Sequence, residues 1–515
     1  MLKSKLLALV AFLGFAVVLP AQTTTPDATT AQRMAKIESD VVTIPVGAGQ
    51  PALHLSLAEL MAEFHDPGLS LAVVDHFQIV YTKAYGVVAT GSTDPVTPTT
   101  LFQAGSISKP VAATGALWLV EHGKLSLDED VNKKLLTWKV PDNDFTKTEK
   151  VTLRRILSHT AGLTVHGFGG YPVGDPIPTI PQVLNGEKPA NSPAVRVEFV
   201  PGSKVQYSGG GVTIEQQLVI DVTQKPFPEF MKQVVLDKIG MTNSTYEQPI
   251  PAALAPRTAT GTYADGTPVK GRWHIYPEMA AAGLWTTPTD LAKFGIEIAA
   301  SKNGKSNKVL SESMTRQMLS PQLENAGLGF FFAPHNTNQF AHGGADEGFQ
   351  SMLVMLGDEG QGVAVMANSD NGVTVANYLI DAIATEFAWK FEHGKPSAGD
   401  VLQIVGDKVG AKAALREYQD LKKSSADSYS FAESDLNLFG YALINQKKYA
   451  EAIDAFQMNV EMYPQSFNVY DSLAEAQTDA GEKDAAIQNY KKSLELNPQN
   501  ANATKMLEKL NSSPK

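Results

Sequence analysis

The spacing of apolar residues changes along the first quarter of the chain, and each spacing predicts a different element. In LHLSLAELMAEF, residues 53–64, leucine and methionine recur at helical intervals, which predicts a helix. GLSLAVVDHFQIVYTKAYGVV, residues 68–88, is typical of two strands joined by a turn near His76. FQAGSISKPVAATGALWLVEHGK, residues 102–124, predicts an apolar helix that begins at Ser106. The pattern therefore indicates a mixed α/β unit.

The stretch from residue 101 to about 391 mixes strands, helices and loops rich in glycine and proline. The longest loop, residues 167–193, holds six prolines. A loop of this length in a compact domain is usually a lid, a binding loop or a surface excursion. We expect its first part, GFGGYPVGDPIPTIPQ, to shape the entrance of a site.

The C-terminal part, from about residue 411, is helical and contains an internal repeat. Residues 433–464 and 467–498 end in prolines that are 34 residues apart, and the same shift places Ala486 on Ala452 and Tyr490 on Phe456. Small residues let two helices approach while aromatic rings fill the gap between helices. This pattern resembles tetratricopeptide repeats, which implies a concave groove for a peptide or protein segment. The alternative is a stabilising appendage docked on the preceding domain.

Composition narrows the possible functions. The 515 residues are too many for one ordinary core and indicate two to four domains. A net charge of -11 and the lack of a basic run argue against nucleic-acid binding. The sequence contains no cysteine, which excludes disulfides, thiol catalysis and cysteine-ligated zinc.

The N-terminus has the features of a secretory signal. Lys3 and Lys5 precede an apolar run, Leu6 to Leu19, and Ala21 offers a cleavage point. An uncleaved membrane anchor is the alternative, but this run is short for a span of about 20 residues. We therefore expect a signal peptide over residues 1–21, a periplasmic or secreted protein without a stable membrane anchor, and a polar, flexible segment over 22–50.

Ser106 and Lys109 lie three residues apart, so a helix that starts at Ser106 places both on one face. Pro110 fits in the first turn of such a helix, and Gly123 suits its end. A lysine buried at this position favours its neutral form, because desolvation disfavours the ammonium. A neutral amine beside a hydroxyl can accept its proton and activate the oxygen as a nucleophile. The alternative is a helix-capping serine with a solvated lysine.

Five segments in order, between about residues 57 and 387, resemble one family. They are TTLFQAGSISKPVAATGALWLVEHGKLSLDEDV, VTLRRILSHTAGL, PGSKVQYSGGGVTIEQQLVIDVTQKPFPEFMKQVVLDKIGMTNST, AAAGLWTTPTDLAKF and FAHGGADEGFQSMLVML. The family is that of the serine β-lactamases and penicillin-binding proteins, in particular the branch with class C β-lactamases, D-alanyl-D-alanine carboxypeptidases and related esterases.

The resemblance implies an α/β (α+β) domain over residues 51–392, with a central, mainly antiparallel sheet flanked by helices and a helical subdomain beside the site. Ser106 is expected to begin a central helix. A helical linker over 393–430 and an all-α module of tetratricopeptide repeats with a capping helix over 431–515 complete the expected organisation.

The resemblance also assigns residues to roles. Ser106 matches the acylated nucleophile, Lys109 its partner base, and Tyr207 the tyrosine that relays a proton to or from the leaving group. In HGGA, His342 takes the place of the family's lysine. The backbone N–H of Ala345 would join that of Ser106 in holding the oxyanion. Gly343 and Gly344 would leave room for the substrate backbone.

Two departures weaken the case for antibiotic hydrolysis. Gly209 stands where the tyrosine motif usually ends in asparagine, and a neutral His342 anchors a carboxylate less well than lysine does. Both leave acyl transfer possible on an ester, amide or D-amino-acid peptide. The alternative is a catalytically impaired penicillin-binding or sensing protein whose repeat module recruits a partner.

Other catalytic patterns are missing from the sequence. His159, in LSHTAGL, suggests a Ser-His-Asp triad, but we favour a structural role for it. Neither G-x-S-x-G, H-E-x-x-H nor a phosphate-binding loop occurs, and the ten histidines show no metal-ligand spacing. We therefore expect no cofactor and no metal.

Overall fold

A computed structural model describes residues 26–46 and 51–512. The expected signal peptide, residues 1–21, lies outside the described residues. No helix within the described ranges is long and apolar enough to cross a bilayer. The strands are β1 (Val42–Ile44), β2 (Leu53–Leu55), β3 (Gly68–Asp75), β4 (Gln78–Gly86), β5 (Phe102–Gln103), β6 (Tyr171–Pro172), β7 (His274–Ile275), β8 (Trp285–Thr286), β9 (Phe331–Ala333), β10 (Asn336–Asp346), β11 (Phe349–Leu356) and β12 (Gln361–Ala367).

Helices account for the flanks of the sheet and for the whole C-terminal part. They are α1 (Ala28–Ser39), α2 (Leu57–Glu63), α3 (Ser108–Glu121), α4 (Leu153–Leu157), α5 (Ile180–Asn185), α6 (Gly209–Thr223), α7 (Phe227–Met231), α8 (Asp237–Ile239), α9 (Met279–Ala282), α10 (Pro288–Lys302), α11 (Glu312–Met318), α12 (Gly372–Glu386), α13 (Ala398–Lys408), α14 (Ala411–Ser424), α15 (Glu433–Asn445), α16 (Tyr449–Met462), α17 (Phe467–Asp479), α18 (Lys483–Leu496) and α19 (Ala501–Ser512).

The central sheet has six strands in the order β4-β3-β12-β11-β10-β9, and every neighbouring pair is antiparallel. Side chains alternate across it, as the pleat requires. On β3, Ala72 and Val74 face a core that includes α3, α6 and α10, whereas Leu71 and Val73 face a second core that includes α1, α2 and α12. The expected antiparallel sheet with flanking helices is confirmed.

The turn predicted near His76 joins β3 to β4. His76 and Phe77 both have positive φ, 50° and 63°, which is the backbone that a two-residue hairpin turn requires. Of residues 53–64, for which the spacing predicts a helix, 57–63 form α2, and Ser56 caps it by accepting a hydrogen bond from the N–H of Glu59. The prediction was wrong for Leu53–Leu55, which form strand β2 and pair with β1.

The expectation of a flexible segment over residues 22–50 was wrong for its described part. Asp27 caps α1, and the buried side chains of Met34 and Ile37 attach this helix to the second core. Glu38 accepts hydrogen bonds from the hydroxyls of Tyr81 and Tyr85 on β4, at 2.7 and 2.8 Å. The polar composition of the segment hid an amphipathic helix.

The all-helical C-terminal region fits a tetratricopeptide-like arrangement. The helices pack as consecutive pairs, α15 with α16 and α17 with α18, and α19 covers the end. Ala452, Phe456, Ala486 and Tyr490 are fully buried, as their small and aromatic character requires. Gly440 is essential to this packing, because a β-carbon on it would lie 2.5 Å from the ring of Phe456.

Residues 393–430 are not a linker. Helices α13 and α14 form a further antiparallel pair that packs on α15 and α16. Val401, Leu402, Ile404 and Val405 of α13 are buried in the second core, together with Leu379 and other residues of α12. The α/β domain and the first helical pairs therefore share one apolar core.

Deleting residues 393–515 should therefore destabilise the remaining chain. Each of the four buried side chains of α13 contributes about 1.5–3 kcal/mol through burial, so we expect loss of soluble protein or a much lower Tm. Deleting residues 499–515 is the control, because α19 packs in a separate cluster with Ala486 and Tyr490. Its main melting transition, followed by circular dichroism, should match that of the full chain; equal stability of both truncations would contradict the shared core.

Candidate active site

Ser106 and Lys109 lie together at the start of α3. Ser106 is in a 3₁₀ turn, Gly105–Ile107, that leads into the helix, and Lys109 is only 3% exposed. Lys109 Nζ lies 2.8 Å from Ser106 Oγ and donates a hydrogen bond to the carbonyl oxygen of Ala281 at 2.7 Å. The lysine therefore points into the protein and not into bulk solvent.

Tyr207 covers this pair. Lys109 Nζ lies 4.9 Å from the centre of the Tyr207 ring. The tyrosine directly precedes α6, whose N-cap Ser208 accepts a hydrogen bond from the N–H of Gly211 at 2.9 Å. The backbone carbonyl of Tyr207 accepts a hydrogen bond from His166 Nδ1 at 2.5 Å. The structure thus brings the three predicted catalytic residues together; their chemical roles stay predictions.

His159 packs beside Tyr207 and does not contact Ser106 through any described hydrogen bond. Its Nδ1 accepts a hydrogen bond from the backbone N–H of Ser208 at 3.2 Å, and its ring stacks on Phe331 with centroids 5.7 Å apart. Burial, with Lys109 and His342 nearby, lowers the pKa of His159 well below its usual value, so the ring is neutral. These contacts favour the structural role expected from the sequence.

Strand β10 holds the nucleophile segment in place. Ser351 Oγ, on the adjoining strand β11, donates a hydrogen bond to the carbonyl oxygen of Ala104 at 2.8 Å. Gly105 has a φ of +48°, and a β-carbon on it would lie 2.5 Å from the backbone nitrogen of Ala345. Only glycine allows this approach, which places the backbone of exposed Ala345 next to Ser106.

The two glycines of HGGA are not equivalent. A β-carbon on Gly344 would lie 1.9 Å from the carbonyl oxygen of Ala104, so the nucleophile segment already occupies that space. A β-carbon on Gly343 would meet the end of the Met352 side chain at 3.4 Å and the carbonyl oxygen of Ser351 at 3.8 Å, which is ordinary contact. Gly344 therefore serves close packing within the protein, and the expectation that both glycines leave room for substrate stays a prediction.

His342 is buried beside the site in a neutral form. Its Nδ1 donates a hydrogen bond to the carbonyl oxygen of Gly343 at 2.6 Å, and its Nε2 is buried without a partner among the described residues. Burial, reinforced by Lys109, lowers the pKa of His342 to about 3. His342 lines a cleft of about 350 Å³ together with Ser106, Tyr207, Phe331, Gly343, Gly344, Ala345, Gln350, Ser351 and Val373.

The structure gives a physical reason for Gly209. A β-carbon at this position would lie 3.0 Å from the ring of Phe168 and 3.3 Å from the carbonyl oxygen of His166. The start of the long proline-rich loop therefore fills the volume that a longer side chain would need. That loop also contains β6 and α5, so it is more ordered than its composition indicates.

Sequence reasoning missed several acidic groups behind the site. Glu215, Glu278 and Asp346 are buried, and the carboxyl oxygens of Glu215 and Glu278 have no hydrogen-bond partner among the described side chains. Burial raises the pKa of Glu215 and Asp346 well above the usual values and that of Glu278 to about 7. Two sequence features could have indicated these groups: Glu215 interrupts an apolar helix, and Asp346 directly follows HGGA. No group of three His, Asp or Glu side chains in the described ranges is placed to share a metal.

Glu278 should make stability depend on pH. The unfolded chain releases its proton near pH 4.5 and the folded chain only near 7, so folding stability falls as pH rises through this window. Glu278→Gln has no such proton to lose. Between pH 5 and pH 8, its free energy of unfolding should therefore rise by about 3 kcal/mol relative to that of the wild type. Urea unfolding at both pH values measures it. Exposed Glu247→Gln is the control, and the same pH response in both variants would contradict the assignment.

Comparison with known proteins identifies the family to which the sequence is similar. The family model for Beta-lactamase matches residues 57–385. A Beta-lactamase from Lysobacter lactamgenus is 30% identical over 256 residues, which cover 48% of this chain and 59% of that protein. Protein flp from Staphylococcus aureus (strain N315) is 22% identical over 317 residues, covering 59% of this chain and 60% of its own length. The chain thus spans about three fifths of the length of the curated relatives that it matches.

A solved structure agrees at the level of fold. The octameric penicillin-binding protein homologue from Pyrococcus abyssi superposes with a TM-score of 0.55 at 23% identity, covering 68% of this chain and 80% of that one. The family match spans well over half of the chain, and it includes the segments that carry Ser106, Lys109, Tyr207 and His342. The chain therefore belongs to the beta-lactamase family of serine hydrolases.

Proposed function

We propose that the protein is an exported serine hydrolase that forms an acyl-serine intermediate on an ester, amide or D-amino-acid peptide. The observation that carries this proposal is the contact between the buried amine of Lys109 and the hydroxyl of Ser106, at 2.8 Å. Lys109 is 3% exposed, and its amine contacts only the Ser106 hydroxyl and the Ala281 carbonyl oxygen within hydrogen-bond distance, which is where a proton acceptor for the nucleophile has to lie.

The steps follow from this geometry. Neutral Lys109 accepts the Ser106 proton while Oγ attacks the substrate carbonyl, and the N–H groups of Ser106 and Ala345 stabilise the resulting oxyanion. Tyr207, above the lysine, passes the proton to the leaving group as its bond to carbon breaks. Water then attacks the acyl-serine and gives a proton to the base, which passes this proton to Ser106 Oγ as the ester bond breaks, so that the acid and free Ser106 are released.

The lining of the cleft favours an uncharged substrate. None of the described residues that line it is lysine or arginine, and His342 is neutral. A free carboxylate would enter this cleft without a cationic partner, at a cost in desolvation. We therefore place neutral esters and amides ahead of substrates that carry a carboxylate, β-lactam antibiotics included.

Active-site labelling tests the reaction class. A fluorophosphonate probe should modify Ser106, located by mass spectrometry, and the Ser106→Ala variant should take up no label. A panel of p-nitrophenyl esters, D-amino-acid peptides and nitrocefin should give turnover that vanishes in Ser106→Ala. An ester pair that differs only by a free carboxylate checks the preference. Modification of another residue in active protein, or equal turnover by Ser106→Ala, would contradict the proposal.

A second candidate function is binding or sensing without turnover. Gly209 favours it, because the asparagine amide usual at this position is missing and Phe168 fills its place. Such a protein would react once with a penicillin and stay acylated. A stoichiometric burst without steady-state turnover on any member of the panel would favour this function over hydrolysis.

The helical region invites a proposal about partners. Leu438 on α15 is 69% exposed and Phe467 on α17 is 37% exposed, which suits a surface that binds a protein or peptide segment. The core shared with the hydrolase domain supports the alternative of a stabilising appendage. A pull-down in which full chain and Leu438→Asp are compared separates the two, because a pure appendage gives the same result for both.

Export is proposed from the sequence of residues 1–21. N-terminal sequencing of the protein purified from a bacterial periplasm or culture medium should give a mature chain that begins near residue 22. A cytoplasmic protein that keeps Met1 would contradict it.

A further inference from the structure

The segment that holds Lys109 is itself held by a side chain with no assigned role. We propose that Gln216 is a positioning residue: its amide fixes the turn that carries the Ala281 carbonyl, and this carbonyl aims the amine of Lys109 at Ser106. The inference rests on the proposed function, because it concerns the geometry of the same base.

Gln216 uses both ends of its amide on one turn. Its Nε2 donates a hydrogen bond to the carbonyl oxygen of Pro277 at 3.0 Å, and its Oε1 accepts one from the N–H of Ala280 at 2.9 Å. The side chain is 1% exposed. Two bonds to residues three apart fix both the position and the tilt of the turn. The carbonyl of Ala281, the next residue, is therefore held at a defined point beside Lys109.

The direction of the Lys109 amine depends on that carbonyl. A neutral amine carries two N–H bonds and one lone pair in tetrahedral directions, and it rotates freely about its last C–N bond unless one N–H is held. Ala281 holds one N–H at 2.7 Å while Ser106 Oγ lies at 2.8 Å. When this rotation is stopped, the lone pair of the amine can face the serine hydroxyl, which is the arrangement that proton transfer requires.

Gln216 also ties this turn to the helix of Tyr207. Both residues belong to one unit, because α6 begins two residues after Tyr207 and carries Gln216 two turns later. The other contacts of the turn come from elsewhere: Gln248 Nε2 donates to the carbonyl oxygen of Gly283, and Ser108 Oγ accepts from the N–H of Leu284. The Gln216 amide thus contributes two directed bonds that help to hold the distance between base and tyrosine, so its loss should affect catalysis more than substrate binding.

The neighbouring residue supplies a matched control. Gln217 is 3% exposed, and its Nε2 donates a hydrogen bond to Asp221 within α6 at 2.9 Å. Gln216→Met and Gln217→Met each remove one buried amide group and keep a side chain of similar length. We expect a fall in kcat of about 10–100-fold with KM within about threefold for Gln216→Met, and kcat within about twofold of wild type for Gln217→Met. Melting temperatures measured alongside should fall by similar amounts.

A conservative variant, Gln216→Glu, gives a readout that a purely structural role would not move. The carboxyl group that it introduces can, while protonated, donate to Pro277 and accept from Ala280 as the amide does. The ionised form has no proton to donate and would face the carbonyl of Pro277. Activity relative to wild type should therefore be close to normal at acidic pH and fall as pH rises. Lys109, Glu215 and Glu278 also face this region, so the ratio of variant to wild type at each pH is the quantity to compare.

The outcomes separate this inference from the proposed function. Loss of kcat in Gln216→Met alone, with pH-dependent rescue in Gln216→Glu, supports the positioning role. Equal kcat for the two methionine variants, or a Gln216→Glu ratio that does not change with pH, overturns it. Activity that survives in Ser106→Ala would instead overturn the proposed hydrolase mechanism, whatever the Gln216 variants do.

Discussion

Lys109→Met lowers the rate at which Ser106 is acylated by about 10³-fold, and this is the largest effect that we expect from any single substitution of a side chain other than the nucleophile. Methionine fills nearly the same buried volume but cannot accept the hydroxyl proton. The rate of labelling by a fluorophosphonate, followed by stopped-flow or quenched time points, measures acylation directly.

Lys109→Arg separates proton transfer from charge. Arginine places a positive charge near Ser106 but is never a base in proteins, so it should be as inactive as methionine. Circular dichroism and thermal melting check that both variants fold, since Lys109 is buried among α3, α6 and α9. Acylation by Lys109→Arg at close to the wild-type rate would show that charge alone matters and would contradict the base role.

Gly344→Ala should abolish most activity without touching any catalytic side chain. Its β-carbon would lie 1.9 Å from the Ala104 carbonyl oxygen and 2.5 Å from Ser351 Oγ. Backbone cannot move aside cheaply, so β10 and the nucleophile segment must separate, which removes the Ala345 N–H from the oxyanion. Loss of one oxyanion donor costs about 10²–10³ in kcat. We also expect destabilisation of about 1–3 kcal/mol from overpacking.

Gly343→Ala, one residue away, is the matched control. Its β-carbon would lie 3.4 Å from the flexible end of Met352 and 3.8 Å from the carbonyl oxygen of Ser351, so the melting temperature should stay near wild type. Thermal melting of the two purified variants makes the comparison. Equal losses in both would mean that the strand tolerates no side chain in this region, and the specific contact with Ala104 would not be the cause.

Much of the fold could be predicted because local chemistry and long-range packing agree. The alternating pattern of residues 68–88 gave the hairpin at His76, and Ser106 with Lys109 gave the helix start that both occupy. The repeat gave the helical pairs, since Ala452 and Ala486 need close helix approach wherever they occur. These signals lie within one or two elements, so the sequence pattern alone carries them.

Other features depend on residues distant in the chain and have no local signal. The ring of Phe168 beside Gly209, and the carbonyl of Ala104 against Gly344, are contacts between segments that only the folded backbone brings together. Helix α1 looked flexible because the surface that buries Met34 belongs to other elements. The clamp of Gln216 on residues 277–280 was invisible for the same reason.

The apolar core that joins the sheet to α13 restricts how the two parts of this protein can be exchanged during evolution. The boundary near residue 392 separates the α/β domain from the helical region, and recombination there would join the domain to another helical array. Such an array would have to reproduce the side chains of α13 that cover α12. Substitutions of the buried residues of α13 would then lower the amount of folded protein in the cell, without changing any residue of the site. We therefore expect α13 and the helices packed on it to be inherited together with the α/β domain.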